Sequence, residues 1–460
     1  MTAAVVLRGG VVVDQTGRRR ADVVVAGGNV VDVGAEVEPP RGAMVLDAGG
    51  CVIGPGLVDL HTHLREPGAE EAERVETGAR AAAKGGYTAV VAMPNTDPPI
   101  DTAAVARQVL DLGVASAVEV AVAGAVTVGR KGERLAPMAE LAGMGVRLFT
   151  DDGSPVGDAG IMRRAMEYAT GLEVIVADHC EEPSLAAGAH MHEGDWSSRL
   201  GIPGSPALAE ELMVARDLAL ARLTGARLHL LHLSTAGSMA LVRAAKADGV
   251  GVTAEATPHH LLLTDAEVAS FDPVFKVNPP LRTGADVTAL QAGLLDGTLD
   301  AVATDHAPHA AEAKEAPFEE APPGMLGLET ALAVVLTALG PGSSNGRQRG
   351  NARARRSRSG AEERDQGTSG AADPVIERVL ALMSWQPARI AGLAGQGGPV
   401  APGAAANLMV LDPQATWVVD PGGLASRSRN TPFAGRRLTG RVRHTISRGV
   451  PVVVDGEATR

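Results

Sequence analysis

From about Pro55 onward the chain repeats one rhythm eight times: a short apolar run, a loop, and in most cases a helical stretch. The apolar runs are Leu57–Leu60, Thr88–Ala92, Val118–Ala123, Val146–Phe149, Glu173–Ala177, Arg227–Leu231, Val250–Ala254 and Leu299–Ala303. Their length suits strands, and their mostly apolar character suits strands covered on both faces. Ala207–Leu223 is the clearest helix, rich in Ala, Leu, Glu and Arg with an apolar stripe at helical spacing. The connection between the seventh and eighth runs is longer and less regular. Eight such units read as an α/β fold, a (β/α)8 TIM barrel. An open doubly wound sheet is the alternative, but no Gly-rich dinucleotide fingerprint follows any strand.

The two ends of the chain read differently. Residues 1–54 alternate β-branched runs (Val11-Val12-Val13, Val23–Ala26, Val30-Val31) with turn signals and a polar Asp14–Arg20 stretch, which predicts a small antiparallel sheet. Helix returns at about Pro374–Leu393, and the tail is strand-like again at Asn407–Leu411, Thr416–Val419, Val442–Ser447 and Val450–Val454. Chain termini often lie close together. We therefore expect residues 1–54 and 398–460 to be halves of one small composite β-sandwich domain flanking a barrel over 55–397. Residues 341–373 interrupt that barrel. They hold six Arg between Arg347 and Arg358 and, apart from Ala, nothing hydrophobic, so they read as a disordered surface insertion.

Composition narrows the function classes. The 460 residues carry a net charge of −12, which argues against nucleic-acid binding as the main task. The Arg-rich insertion alone would support such a role. Cys51 and Cys180 offer no disulfide framework, and no signal peptide or membrane-spanning run is seen, so a cytoplasmic protein is expected.

The chemistry sits at the ends of the strands. The first ends Asp59-Leu60-His61-Thr62-His63, and residues two apart in a strand share a face, so His61 and His63 can bind one metal ion. Alone this is weak, since about 0.3 such pairs arise by chance in a chain of this composition. The fourth strand, however, ends Asp151-Asp152, the fifth Asp178-His179-Cys180-Glu181, the sixth His229 to His232, and the eighth Thr304-Asp305-His306. Five strands thus deliver His or Asp to the face where barrel enzymes carry their active sites. Imidazole and carboxylate together suit zinc or a similar divalent ion. The set exceeds one closed tetrahedral site and fits two metals with an open position, hence hydrolysis of an amide-like or ester-like bond. A structural zinc site would not need ligands from five strands.

At this point the residues resemble a family. Gly56-Leu57-Val58-Asp59-Leu60-His61-Thr62-His63-Leu64-Arg65-Glu66-Pro67-Gly68 is similar to the dihydroorotase signature of the cyclic amidohydrolases. Met93–Thr96, Thr257–Leu261, Lys276–Arg282 and Ala303–His309 match in order and spacing. The resemblance implies that His61, His63 and Asp305 bind one zinc and that His179 and His232 bind a second. Many relatives bridge the metals with a carboxylated lysine. None of the lysines here (Lys84, Lys131, Lys246, Lys276, Lys314) ends the fourth strand, and the bridge falls on Asp152, as in the bacterial branch that uses aspartate.

The implied reaction is the zinc-dependent, reversible cyclisation of N-carbamoyl-L-aspartate to dihydroorotate in pyrimidine synthesis. A metal-held hydroxide attacks the ring carbonyl, and Asp305 acts as general base and then acid. The implied substrate contacts are His63, Leu64, Arg65, Asn95, Asn278, His309, Pro323 and Gly324. Of these, Arg65, Asn95 and His309 grip the ring carboxylate, and Asn278 faces the ring. Pro323 stands where the family commonly has phenylalanine. The segment from His309 to Gly324 is the expected lid.

The alternatives are allantoinase or dihydropyrimidinase, which usually keep the bridging lysine and whose substrates lack a ring carboxylate. A further alternative is a catalytically silent scaffold for aspartate carbamoyltransferase, against which all six expected ligands speak. Homo-oligomerisation and association with that transferase are common in the family. Cys180 reads as buried rather than nucleophilic, His259-His260 has no assigned chemistry, and Glu70–Glu73 and Glu319-Glu320 read as solvated surface.

Overall fold

The computed structural model describes residues 4–340 and 374–459. The insertion expected at 341–373 lies outside the described residues.

Eight short parallel strands follow one another as the sequence rhythm predicts. They are Leu57–Thr62, Tyr87–Ala92, Glu119–Val122, Leu148–Phe149, Ile175–Asp178, Arg227–Leu230, Val252–Ala256 and Ala301–Val302. The first three form one sheet and the last five another. Parallel bridges Gly124–Phe149 and Thr62–His306 join the two, closing the barrel. A helix follows each strand on the outside, from Val75–Lys84 to Ala331–Leu339. In Ala207–Thr224, Ala209, Met213, Val214, Leu218 and Ala221 are buried, but so are Glu210 and Asp217, while Leu208, Leu212 and Leu223 are exposed, so the expected apolar stripe is only partly realised. The irregular seventh connection contains three 3-10 turns between His259 and Phe275.

Inside the barrel, Leu60, Val91, Ala123, Ile175, Ala177 and Ala301 pack as one apolar floor, joined by Ile390 and Ala391 from a C-terminal helix. The site stands above this floor. Pro374–Ala391 is broken by a π-helical stretch, Ala381–Trp385, and ends short of the expected Leu393.

The terminal segments interleave. A seven-stranded sheet places Leu408–Val418 from the tail directly against Val52–Pro55 from the head. Opposite it lies a four-stranded sheet of Asn29–Gly34, Asp22–Ala26, Val5–Arg8 and Met44–Asp47. Val5, Leu7, Val23, Ile53, Val410 and Ile446 fill the space between them, which is β-sandwich packing. Two expectations are corrected here. The head is not one antiparallel sheet: Val5–Arg8 pairs parallel to Met44–Asp47, and Val11–Asp14 parallel to Val52–Pro55. Gly17–Arg20, within the stretch 14–20 read only as polar, is a strand paired with Val11–Asp14. The two tail runs from Asn407 and Thr416 are one bulged strand, long because it pairs along its neighbour from Arg437 to Ile446.

Candidate active site

Leu60 points into the apolar floor, yet the next residue, His61, reaches the barrel mouth. A register shift between Asp59 and Thr62 places three steps of the first strand against two of its neighbour. Such a bulge re-aims side chains beside functional sites. Asp59 locks the shift: its carboxylate accepts from Thr304 N (2.7 Å), Thr304 Oγ1 (2.6 Å) and Thr62 Oγ1. The first and eighth strands are thereby tied beside Asp305. Burial pushes the Asp59 pKa up to about 6 against these bonds.

The six expected ligands converge, all buried. Asp152 stands between two histidine pairs. Its Oδ2 lies 3.3 Å from His61 Nε2 and 3.6 Å from His63 Nε2. Its Oδ1 lies 3.4 Å from His232 Nε2 and 3.7 Å from His179 Nδ1. Asp305 Oδ1 is 2.9 Å from His63 Nε2 and 3.5 Å from His61 Nε2. Asp151 turns away to accept from Val126 N, Thr127 N and Thr127 Oγ1, so the neighbouring aspartates divide into one at the cluster and one holding the loop.

The donor chemistry fits a cation. His63 Nδ1 donates to Asn95 Oδ1 (2.8 Å), which in the neutral ring leaves a lone pair on Nε2 facing the Asp305 carboxylate. His61 Nδ1 donates to Glu255 (3.3 Å), and its buried Nε2 has no hydrogen-bond partner among the described residues. Lone pairs aimed at one another in a buried space need a proton or a metal between them. Burial opposes charge on these groups: at His61 attraction wins, Asp152, Glu255 and Asp305 holding it well above the ordinary histidine value, whereas at His63 burial wins and its pKa is lowered. The histidines in turn hold Asp152 and Asp305 well below the carboxylate range, so both carboxylates are ionised.

Glu255 was not singled out from the sequence. The seventh strand runs to Ala256, two residues beyond the expected end, and aims Glu255 under the cluster. One oxygen takes His61 Nδ1 and His232 N (3.4 Å), and the other takes His229 Nε2 (3.0 Å). Glu73 is a correction. Within a run read as solvated surface, it is fully buried, accepting from His306 Nε2 (3.3 Å), Ser426 Oγ (2.5 Å) and Arg427 N (3.0 Å). Its signal was Ala72 and Val75 on either side, both buried.

Around the mouth, Arg65 donates from Nε to Pro308 O (3.1 Å). No carboxylate lies within ion-pair distance of it among the described residues, and burial lowers its pKa. Asn95 is engaged through its Oδ1 by His63, and no hydrogen bond from its amide nitrogen is seen among the described residues. His309 donates from Nε2 to Pro323 O (2.9 Å), and burial with Arg65 alongside lowers its pKa to about 3, so the ring is neutral. A hydrogen bond from His309 to a carboxylate therefore requires a second ring proton or release of Pro323. Asn278 Nδ2 lies 3.3 Å from both His179 Nε2 and Glu181 Oε2. Leu64 turns its side chain into the core, so only its main chain faces the mouth. At Gly324 (φ 141°) a Cβ would fall 2.7 Å from His309 Nε2, so glycine is required. Cys180 is buried and its thiol pushed up, unfit as a nucleophile. His259 Nε2 is buried without a hydrogen-bond partner among the described residues, and His260 bridges Thr257 Oγ1 (2.8 Å) and Pro279 O (3.0 Å).

A parallel barrel with an interleaved β-sandwich and this buried His/Asp cluster defines a barrel amidohydrolase. The fold matches an L-hydantoinase (dihydropyrimidinase) from Arthrobacter aurescens at a TM-score of 0.81 and 25% identity, covering 100% of this chain and 98% of that one. It also matches a dihydropyrimidinase from Brevibacillus agri at a TM-score of 0.80 and 22% identity, covering 99% and 96%. Sequence narrows the class. The dihydro-orotase-like family model matches residues 50–238. The chain is 50% identical to the dihydroorotase of Streptomyces coelicolor over 442 residues, covering 95% of this chain and 96% of the relative. It is 48% identical to that of Mycobacterium tuberculosis over the same shares. The chain belongs to the dihydroorotase family.

Proposed function

We propose that this chain is a zinc-dependent dihydroorotase, interconverting N-carbamoyl-L-aspartate and dihydroorotate. The observation that carries the reading is Arg65, a half-buried guanidinium beside the ligand cluster with no carboxylate within ion-pair distance among the described residues. A cyclic amide bearing a carboxylate supplies that partner; dihydrouracil and allantoin do not.

His61, His63 and Asp305 would hold one zinc and His179 and His232 a second, with Asp152 between them. When bound, the metals lower the pKa of a water and polarise the ring carbonyl. In ring opening the water oxygen bonds to the amide carbon and the C–N bond breaks. Asp305 takes the proton released by the water and returns it to the leaving nitrogen; ring closure reverses both transfers. Arg65, Asn95 and His309 hold the ring carboxylate and fix the carbonyl against Asp305. Asn278, Pro323, Gly324 and the main chain of His63 and Leu64 bound the ring.

We take 1–54 and 398–460 as the halves of the small domain and 55–397 as the barrel, with 309–324 as the lid. Resemblance alone supports a cytoplasmic homo-oligomer with aspartate carbamoyltransferase as a candidate partner. Among the described residues no helix is long and apolar enough to cross a membrane.

The test is ring opening by the purified, zinc-supplemented chain on dihydroorotate, dihydrouracil and allantoin under one condition. Selective turnover of dihydroorotate is expected. Preference for either uncharged ring would overturn the carboxylate argument. No turnover until aspartate carbamoyltransferase is added would favour the partner-dependent reading.

A further inference from the structure

The segment between the last two long strands of the small domain does not stay in that domain. Ser426 and Arg427 are tied to Glu73, and Ser428 Oγ donates to Ala72 O (2.7 Å), which brings the segment across to the barrel mouth. There Asn430, buried, makes four hydrogen bonds to one loop. Its Oδ1 accepts from His309 N (3.2 Å), and its Nδ2 donates to Ala307 O (3.0 Å) and Gly324 O (3.2 Å). Its main-chain oxygen accepts from Leu326 N (3.1 Å).

These partners are not scattered. Ala307 and His309 flank Pro308, whose carbonyl receives Arg65 Nε. Gly324 adjoins Pro323, whose carbonyl receives His309 Nε2. Ala307 N also donates to Met325 O (2.8 Å), so the outgoing and returning limbs are paired at this point. Asn430 therefore grips the neck of the 307–326 loop from outside and sets the two carbonyls that aim Arg65 and His309. A buried carboxamide with every donor and acceptor engaged is a rigid staple, because moving either limb leaves a buried polar group unpaired.

Resting on the reading that Arg65 and His309 take the ring carboxylate, we propose that Asn430 is a positioning residue for substrate recognition. It reaches in from the small β domain and holds the backbone from which the carboxylate clamp is aimed. It touches neither the substrate nor the ligand cluster.

The test uses Asn430→Ala and the milder Asn430→Ser on the full chain, with zinc content measured. With dihydroorotate, the expected result is a KM raised about tenfold with kcat within about threefold of wild type, because ground and transition states share the carboxylate contact. By hydrogen exchange, the amides of His309 and Leu326 should lose about tenfold protection while amides of the barrel floor keep theirs. A fall in kcat at unchanged KM, or unchanged exchange at His309 and Leu326, would overturn the proposal. Wild-type protein that fails to open dihydroorotate would instead overturn the function, and the exchange experiment would still decide whether Asn430 holds the neck.

Discussion

Replacing Arg65 with Met removes the guanidinium while keeping much of the unbranched stem. The structure sets the size of the effect. Arg65 is half-buried, with one bond to Pro308 O and no carboxylate within ion-pair distance among the described residues, so part of the desolvation of its cation occurs during folding rather than on binding. A substrate carboxylate then meets a preorganised fork. Truncating one member of a buried, hydrogen-bonded charge pair costs about 2–5 kcal/mol. That corresponds to a fall in kcat/KM for dihydroorotate of about 30-fold to a few thousand-fold, mostly in KM. Dihydrouracil has no carboxylate to lose, so its kcat/KM is expected to hold or rise. Arg65→Lys keeps the charge without the fork and should fall between. Backbone strain does not confound the comparison: at φ 62° Met and Lys meet the same left-handed penalty as Arg. The variant should also be about as heat-stable as wild type, since the half-buried guanidinium has no carboxylate partner to lose. Steady-state kinetics on both rings, with metal content held equal, gives the answer. An equal loss for both substrates, or an unchanged KM for dihydroorotate, would refute the reasoning.

Two further outcomes are expected. Glu255→Gln removes the charge that orients His61 and His229, so zinc affinity measured by chelator competition should fall about 10- to 100-fold; unchanged affinity would show that the ring orientations are set elsewhere. Glu73 is buried, but its bonds from His306, Ser426 and Thr77 outweigh that and depress its pKa below the ordinary glutamate value of 4.5. Its stabilisation is then complete above that value and lost as pH falls through the depressed one. In urea titrations, wild type should exceed Glu73→Gln by about 1–3 kcal/mol near pH 7, with the gap narrowing below 4.5. A gap that stays flat to pH 3 would count against an ionised Glu73.

What could be read from the sequence is what the barrel writes locally. Ligands sit at the ends of strands, and strands announce themselves as apolar runs, so His61, His179, His232 and Asp305 stand out without any knowledge of packing. The groups that orient them do not. Glu255 needed a strand end correct to two residues. Glu73 sits in an acidic run whose other members face solvent. Asn430 meets its partner Ala307 across 123 positions, through loops that carry no periodicity. The pairing of the head strands was illegible for the same reason: their neighbours come from later in the chain, and no local pattern distinguishes parallel from antiparallel β-branched runs.

These less legible residues share a physical task. Arg65 (φ 62°), His232 (φ 32°) and Asp305 (φ 46°) all hold left-handed backbone, a conformation that costs a non-glycine residue on the order of 1–2 kcal/mol. Such a conformation persists only where neighbours over-determine it. At Asp305 the neighbours are Thr304, tied through its N–H and hydroxyl to Asp59, and His306, held by Glu73. At His232 the main-chain N–H is held by Glu255. At Arg65 the side chain is drawn to Pro308, between the two residues Asn430 grips. Each strained residue that points at the mouth thus has a buried carboxylate or carboxamide securing its surroundings. A substitution at Asp59, Glu73 or Asn430 should therefore act on the site through the backbone it releases, whereas one at Glu255 also frees the His61 ring that it orients.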